Sequence, residues 1–254
     1  MRILIAVIAL CAARAALAAD ADLTLGAGLN ASSGRYGGST ETRIVSIPFT
    51  AKYERERWTF KGMVPIVEIS GASSVVPGFG RIDAGNRRGH GRAESSAAGL
   101  GDSVFAATYA AIAGRASGID LTGRIKLATG DTSRGLGSGS NDLGAQVDVW
   151  QALERNTLFG GVGYTAFGDS PFINFQNVWN ATLGVSRRID ERDSAGIAFD
   201  ARQAGTPAPA PQRELSGFWS RKLDRAWRLQ AYVLKGFASG SPGIGAGAAA
   251  TYTY

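Results

Sequence analysis

The sequence is poor in the residues on which most active sites depend. Among 254 residues there is one cysteine, Cys11, and one histidine, His90. Cys11 lies in a segment that we predict to be removed, which excludes disulfides, thiolate metal ligands and a cysteine nucleophile from the mature chain. A serine hydrolase needs a histidine base, but His90 lies in an Arg- and Gly-rich stretch typical of a solvated loop. We therefore predict no catalytic residues, no metal ligands and no cofactor.

Long apolar runs are also missing. After residue 19, no stretch reaches the roughly 18 apolar residues of a membrane-spanning helix. A chain without such a run can cross a bilayer only as a closed β-barrel, because every backbone N–H and C=O group must find a partner inside the membrane.

The first residues have the pattern of a secretory signal peptide. Arg2 precedes an apolar run, and the small residues that follow this run offer two equally good cleavage sites, after Ala18 and after Ala19. The predicted organisation is therefore a signal peptide over residues 1–19 and a single domain over residues 20–254.

An excess of charge of one sign is absent as well. The full chain has 27 Lys and Arg against 21 Asp and Glu. Without Arg2 and Arg14 the balance is 25 against 21, a net charge of +4. This balance is too even to favour nucleic-acid binding, and no basic stripe interleaves with aromatic residues. The 35 glycines have no period and there are only 8 prolines, so the chain is neither collagen-like nor a disordered tract.

What the sequence does contain is a strict alternation of side chains. Residues 244–254 show it clearly, because one face of this segment is apolar and ends in Tyr252 and Tyr254, while the other carries Gly, Ala and Thr. Successive side chains of a strand point to opposite faces. A final strand with an apolar, aromatic-ended face is typical of an outer-membrane barrel, which it closes.

The same period-2 pattern predicts an even number of strands along the chain. The twelve predicted strands cover about residues 23–30, 43–53, 58–66, 102–112, 119–128, 143–150, 158–166, 179–186, 195–202, 214–220, 227–233 and 244–254. The connections alternate between long Gly-rich loops and short charged turns, as in bacterial barrels. A soluble sandwich has no reason to keep every second turn short. The predicted fold class is therefore an all-β, antiparallel transmembrane β-barrel of about twelve strands.

Two features of this barrel can be placed from the pattern. Aromatic residues beside the short turns form a predicted interfacial girdle; they are Tyr53, Trp58, Trp219, Trp227 and Tyr252. The polar face of the strands points into the lumen, and its predicted lining residues are Lys61, Asp120, Arg124, Lys126, Gln146, Asp148, Asp200, Arg202, Glu214 and Arg228. This lining either selects small polar or amphipathic solutes or is a network of charge pairs that fills the barrel.

Several Gly-rich motifs occur in a fixed order in the middle of the chain. They are Gly99-Leu100-Gly101-Asp102, Lys126-Leu127-Ala128-Thr129-Gly130-Asp131, Leu136-Gly137-Ser138-Gly139 with Asn141-Asp142, and Leu158-Phe159-Gly160-Gly161-Val162-Gly163-Tyr164. In these motifs the chain resembles the outer-membrane barrel family of the MetA-pathway of phenol degradation, firmly over residues 99–170. Ala128 stands where that family usually has a proline. The resemblance implies a transporter connected with the breakdown of aromatic compounds, and it supplies no binding residues.

The resulting prediction is an outer-membrane channel for passive diffusion of small, aromatic or hydrophobic solutes. The alternative is a non-conducting structural or adhesive barrel that acts through its extracellular loops. The long loop at about residues 70–99 is basic, so it either faces lipopolysaccharide or folds inward as a constriction. A third arrangement, a pair of catalytic carboxylates, would bring Asp131 and Asp142 together at the barrel rim. The expected partners are outer-membrane lipid, lipopolysaccharide, a small-molecule solute and the barrel-assembly machinery that reads the last strand.

Overall fold

The computed structural model describes residues 21–72, 75–77, 80–81, 96–170, 173–206 and 211–254. The predicted signal peptide and His90 lie outside these residues. Arg87, Arg88 and Arg92, which contribute to the basic character of the long loop, lie outside them as well. Within the described ranges, no helix is long and apolar enough to cross a bilayer.

Fifteen strands make up the described structure. They are β1 (Ala21–Gly34), β2 (Thr42–Arg55), β3 (Trp58–Ser70), β4 (Val75–Val76), β5 (Gly80–Arg81), β6 (Ala97–Leu100), β7 (Ser103–Ala113), β8 (Ser117–Leu127), β9 (Asp142–Leu153), β10 (Asn156–Ala166), β11 (Val178–Arg188), β12 (Asp193–Arg202), β13 (Gln212–Lys222), β14 (Trp227–Gly236) and β15 (Ile244–Thr253). Twelve of them form one closed antiparallel barrel, which confirms the predicted fold class. The other three lie between β3 and β7: β6 extends the line of β7 along β3, and β4 pairs with β5 as a small hairpin.

The barrel closes where its first strand meets its last. β1 pairs with β15 from Thr24 opposite Thr253 to Ser33 opposite Ile244. The hydroxyls of Thr24 and Thr253 share a hydrogen bond of 2.8 Å across this seam. Neighbours in sequence pair everywhere else around the barrel, as the alternation of turns and loops predicts.

The outer surface of the barrel is apolar. Each of the twelve barrel strands exposes at least one large hydrophobic side chain that would be buried in a soluble protein. Leu183, on β11, is 70% exposed. Apolar side chains that are exposed around a whole sheet form the lipid-facing surface of a membrane barrel.

Aromatic rings cluster at both ends of this surface. Near the short turns, Trp58 stacks with Phe60 and packs against Tyr109, and Trp227 packs edge-on against Tyr252. At the opposite end, Tyr164 packs against Trp179 with ring centroids 5.0 Å apart. The sequence pattern predicted only the first group. Rings at both levels fit the two interfaces of a bilayer.

The connections divide the barrel into two ends. The short-turn end carries the connections 56–57, 114–116, 154–155, 189–192 and 223–226. The long-loop end carries the remaining connections, of which the longest joins β3 to β7. Carboxylates shape two of the short turns: Asp190 accepts hydrogen bonds from the backbone N–H groups of Arg192 and Asp193, and Asp224 from those of Ala226 and Trp227. These bonds hold the pKa of both carboxyls below the usual value.

Strand β7 contains the one irregularity that hid its faces in the sequence. Ala110 lies opposite Asp120, but Ile112 lies opposite Ile119, so Ala111 is an extra residue in β7. Such a bulge moves the following side chains to the other face. As a result Phe105 and Ile112, which differ in parity, are both exposed on the lipid side.

Candidate functional site in the barrel lumen

An apolar cluster, which we call the plug, lies inside the long-loop end of the barrel. It consists of Tyr36, Ile69, Val75, Ala97 and Leu136, all buried, and Leu136 is only 1% exposed. These residues come from different connections and strands, so several loops fold inward and meet. The hydroxyl of Tyr36 lies 3.2 Å from that of Ser32, and burial raises the pKa of Tyr36. The described part of the long connection after β3 therefore packs inward at Val75 and Ala97, which agrees with one of the two arrangements expected for it.

A buried charge cluster ties one of these loops to the barrel wall. Lys126, on β8, lies 2.8 Å from a carboxylate oxygen of Asp142 and 3.2 Å from one of Asp102. The lysine also bonds the hydroxyl of Ser138, whose backbone N–H donates to Asp102 at 2.9 Å. The hydroxyl of Ser140 donates to Asp142 at 2.6 Å. We call Asp102, Lys126, Ser138 and Asp142 the loop latch.

The glycines of the same loop allow this close approach. The backbones of Gly130 and Gly137 lie against each other and against Asp102, so a Cβ on either residue would press on its neighbours. The N–H of Gly130 donates to Asp102 at 3.0 Å. The Gly-rich motifs noted in the sequence therefore supply the latch and the space around it.

We expect the substitution Gly137→Ala to loosen this loop. The new Cβ would overlap the carboxylate of Asp102 and approach the Cα of Gly130 to 3.0 Å. Overpacking of this kind costs about 1–3 kcal/mol. Limited proteolysis of the folded barrel should then cut the loop between β8 and β9 faster than in the wild type. Gly123→Ala is the matched control, because a Cβ at Gly123 meets nothing within 4 Å; equal cleavage of the two variants would contradict the expectation.

Two cavities lie between the plug and the short-turn end of the barrel. The outer cavity has a volume of about 530 Å³ and is lined by residues of the plug and the latch. The inner cavity has a volume of about 1160 Å³ and opens among the residues of the short turns. Met63 and Val104 line both cavities, so these two side chains mark the boundary between them. A solute that crosses the barrel has to pass this boundary and then the plug.

The ten lining residues proposed from the sequence fall into three groups. Lys61 and Arg228 line the inner cavity. Four residues line the outer cavity: Arg124, Lys126, Arg202 and Glu214. The remaining four bond or pair at mid-barrel and line neither cavity: Asp120, Gln146, Asp148 and Asp200. Sequence reasoning did not single out Asp102, Ser138 or the plug residues.

The mid-barrel group consists mainly of carboxylates with hydrogen-bonded neighbours. The amide of Gln146 donates to Asp148 at 2.7 Å, and the hydroxyl of Thr182 donates to Asp200 at 2.6 Å. Asp120 lies directly opposite Asp148 on the neighbouring strand. This part of the lumen therefore presents negative charge.

Asp131 and Asp142, which the sequence offered as a catalytic pair at the rim, have separate hydrogen-bond partners. Asp142 belongs to the loop latch, where it pairs with Lys126. Asp131 is exposed and accepts a hydrogen bond of 2.6 Å from Ser133 and one from the backbone N–H of Arg134. The hydroxyl of Ser133 holds the pKa of Asp131 below its usual value. Each aspartate thus has its own partners, and neither has the partner that a shared catalytic proton requires.

Comparison with known proteins agrees with this architecture. A family model described as "Putative MetA-pathway of phenol degradation" matches residues 14–206. The crystal structure of an outer membrane channel from Pseudomonas putida F1 superposes with a TM-score of 0.73 at 12% identity, covering 94% of this chain and 97% of that one.

Two porins share the fold less closely. The KdgM porin has a TM-score of 0.55 at 9% identity, covering 91% of this chain and 99% of that one. The NanC porin has a TM-score of 0.54 at 9% identity, covering 91% and 98%. At such identities the likeness shows the fold, which is that of outer-membrane barrels. A search of curated proteins finds no match.

Proposed function

We propose that this chain, which belongs to the family described as the MetA-pathway of phenol degradation, is an outer-membrane channel for small aromatic or hydrophobic solutes. Transport would be passive diffusion down a gradient. One protein of similar fold is described as an outer membrane channel, and two others are described as porins. These relatives support a channel rather than an enzyme.

The observation that carries the proposal is the pair of cavities inside a closed barrel. Together they extend from the short-turn end to the plug, which separates the outer cavity from the long-loop end. The outer cavity combines apolar side chains such as Pro65 and Val67 with the charged groups of Arg124 and Glu214. Such a mixed lining suits a solute that has an apolar body and a polar group. The ten predicted lining residues would form the wall of this path.

The test is the electrical conductance of the refolded barrel in a planar bilayer. Wild type should give small current steps, because the plug narrows the path. Deletion of residues 72–96 removes Val75 from the plug but keeps β6 on β3, so it should enlarge the steps severalfold. Silence of both proteins, with the barrel shown folded by its heat-dependent shift in gel mobility, would contradict the channel. Such a result would favour the structural or adhesive alternative.

Export and assembly complete the proposal. Residues 1–19 would direct secretion and be removed after Ala18 or Ala19, β15 would present the assembly signal, and the outer loops would meet lipopolysaccharide. The mass of the protein purified from outer membranes should correspond to a chain that begins at residue 19 or 20. A full-length mass would contradict cleavage.

A further inference from the structure

Four aromatic side chains lie inside the barrel, each on a glycine of a neighbouring strand. We call them the aromatic track: Trp150, Phe159, Phe218 and Tyr232. A Cβ added to the glycine beneath each ring would overlap that ring. The glycines beneath them, in the same order, are Gly118, Gly184, Gly196 and Gly247.

The pairing of the strands places these residues side by side in two pairs. Trp150 lies directly opposite Phe159, and Phe218 lies directly opposite Tyr232. The ring centroids of Phe159 and Phe218 are 6.3 Å apart, although two strands lie between β10 and β13. Gly184 and Gly196, on those two strands, carry no side chain that would separate the rings. The rings of Phe159 and Phe218 therefore meet over these two glycines, whereas Trp150 and Tyr232 lean away from them, over Gly118 and Gly247.

The track leads from one end of the lumen to the outer cavity. Trp150 lies close to the short turn at residues 154–155, whereas Tyr232 lines the outer cavity and donates a hydrogen bond of 3.1 Å to Asn30. Strands of a membrane barrel are tilted, so a row of laterally paired residues climbs around the wall.

The groups beside the track indicate which solutes it suits. Asp148 lies over Gly161, two residues from Phe159, and Asp200 bonds Thr182 on the strands between Phe159 and Phe218. Carboxylates accept hydrogen bonds and repel anions. An aromatic ring binds another ring by offset or edge-on stacking. A planar, uncharged aromatic molecule with a hydroxyl donor can satisfy both conditions at once.

We propose that the aromatic track, with the Phe159–Phe218 ring pair at its centre, is a stacking surface for uncharged planar aromatic solutes with a hydrogen-bond donor on their way to the outer cavity. This inference rests on the proposed channel function and names the surface that solutes contact. The rings also stabilise the barrel wall by covering the glycines, but that role alone does not require them to lie side by side or beside acceptors. The two roles make different predictions for solutes of the same size.

The experiment measures interruptions of the ion current through single refolded barrels. Phenol is the aromatic probe, cyclohexanol has the same hydroxyl on a non-planar ring, and benzoate is a planar anion. The variants Phe159→Leu and Phe218→Leu keep apolar volume but remove the ring face. The control is Phe105→Leu, since Phe105 faces the lipid and is 42% exposed.

With wild type we expect phenol to block the current more than cyclohexanol or benzoate. Each lumen variant should shorten the phenol blockades roughly three- to tenfold, as expected for the loss of one aromatic contact, and leave cyclohexanol unchanged. The control should behave like wild type. An ion current with equal blockades by phenol and cyclohexanol, or with no effect of either lumen variant, would overturn the track but leave the channel standing. The absence of any current would instead contradict the proposed function.

Discussion

Replacing Lys126 with methionine is expected to release the loop between β8 and β9 and to raise the single-channel conductance severalfold. The ammonium group lies between two carboxylates, and the side chains of Asp102 and Asp142 are only 12% and 5% exposed. Removing one partner of a buried ion pair leaves an uncompensated charge, which costs about 3–5 kcal/mol. When the loop leaves the barrel wall, both carboxylates regain contact with water and the plug is disrupted. Bilayer recordings of wild type and Lys126→Met, taken side by side, measure the effect.

Two comparisons separate the latch from a general effect of lost charge. Lys61→Met removes a lumen cation of the inner cavity, away from the loop, so its conductance should stay near that of wild type apart from ion selectivity. Adding Asp102→Asn and Asp142→Asn to Lys126→Met removes the unpaired charges and should return the conductance toward the wild-type value. Should the triple variant conduct as strongly as Lys126→Met, unpaired charge would not be the cause of opening.

The second large effect is expected on the outer surface. Leu183 is 70% exposed near the middle of β11, so Leu183→Arg would place a charge in the hydrocarbon of the bilayer. Arg at the midplane of a membrane barrel costs about 2–4 kcal/mol of folding free energy. Urea or guanidinium unfolding in lipid vesicles should show a loss of this size, because the unfolded chain carries the same charge in water.

The neighbouring residue provides the matched control. Thr182 lies on the opposite face of β11 and bonds Asp200. Thr182→Arg therefore introduces the same side chain beside a lumen carboxylate, and its cost should be much smaller than that of Leu183→Arg. If the two variants lost equal stability, the assignment of the faces of β11 would be wrong.

The barrel was predictable from the sequence because its signal is local and repeated. Lipid selects an apolar side chain at every second residue, so Val147 and Val149, or Leu158 and Val162, reveal their faces without any knowledge of their neighbours. The pattern failed at β7, where the extra residue Ala111 exchanges the two faces near the end of the strand. A bulge leaves no residue type that marks it, since small residues fill both faces there.

The interior was less predictable for the opposite reason. Val75 and Leu136 belong to loops, and their burial depends on contacts between segments far apart in the sequence. Phe159 and Phe218 stand on the face that also carries the polar residues, so alternation alone gives them no function. Their arrangement depends on Gly184 and Gly196, which lie on other strands. Only the pairing of the strands brings these four positions together.

The Gly-rich motifs show how a sequence resemblance can be read physically. Asp102, Lys126 and Asp142 belong to three separate motifs, and the structure joins them in one cluster. Their spacing therefore reflects how the loop folds back onto the barrel wall. The motifs mark an anchored loop, and the latch experiments test what that anchor controls.

The seam between β1 and β15 has a consequence for how the protein forms. Thr24 and Thr253, which bond across it, are separated by 229 positions, so this pairing has the highest contact order in the barrel. Contacts between distant segments carry a large entropic cost and slow folding. Until the two strands meet, each leaves an unpaired edge that can join other chains. Closure of this seam should therefore be the late, rate-limiting event of folding, and the partly folded chain should depend on protection from aggregation until then.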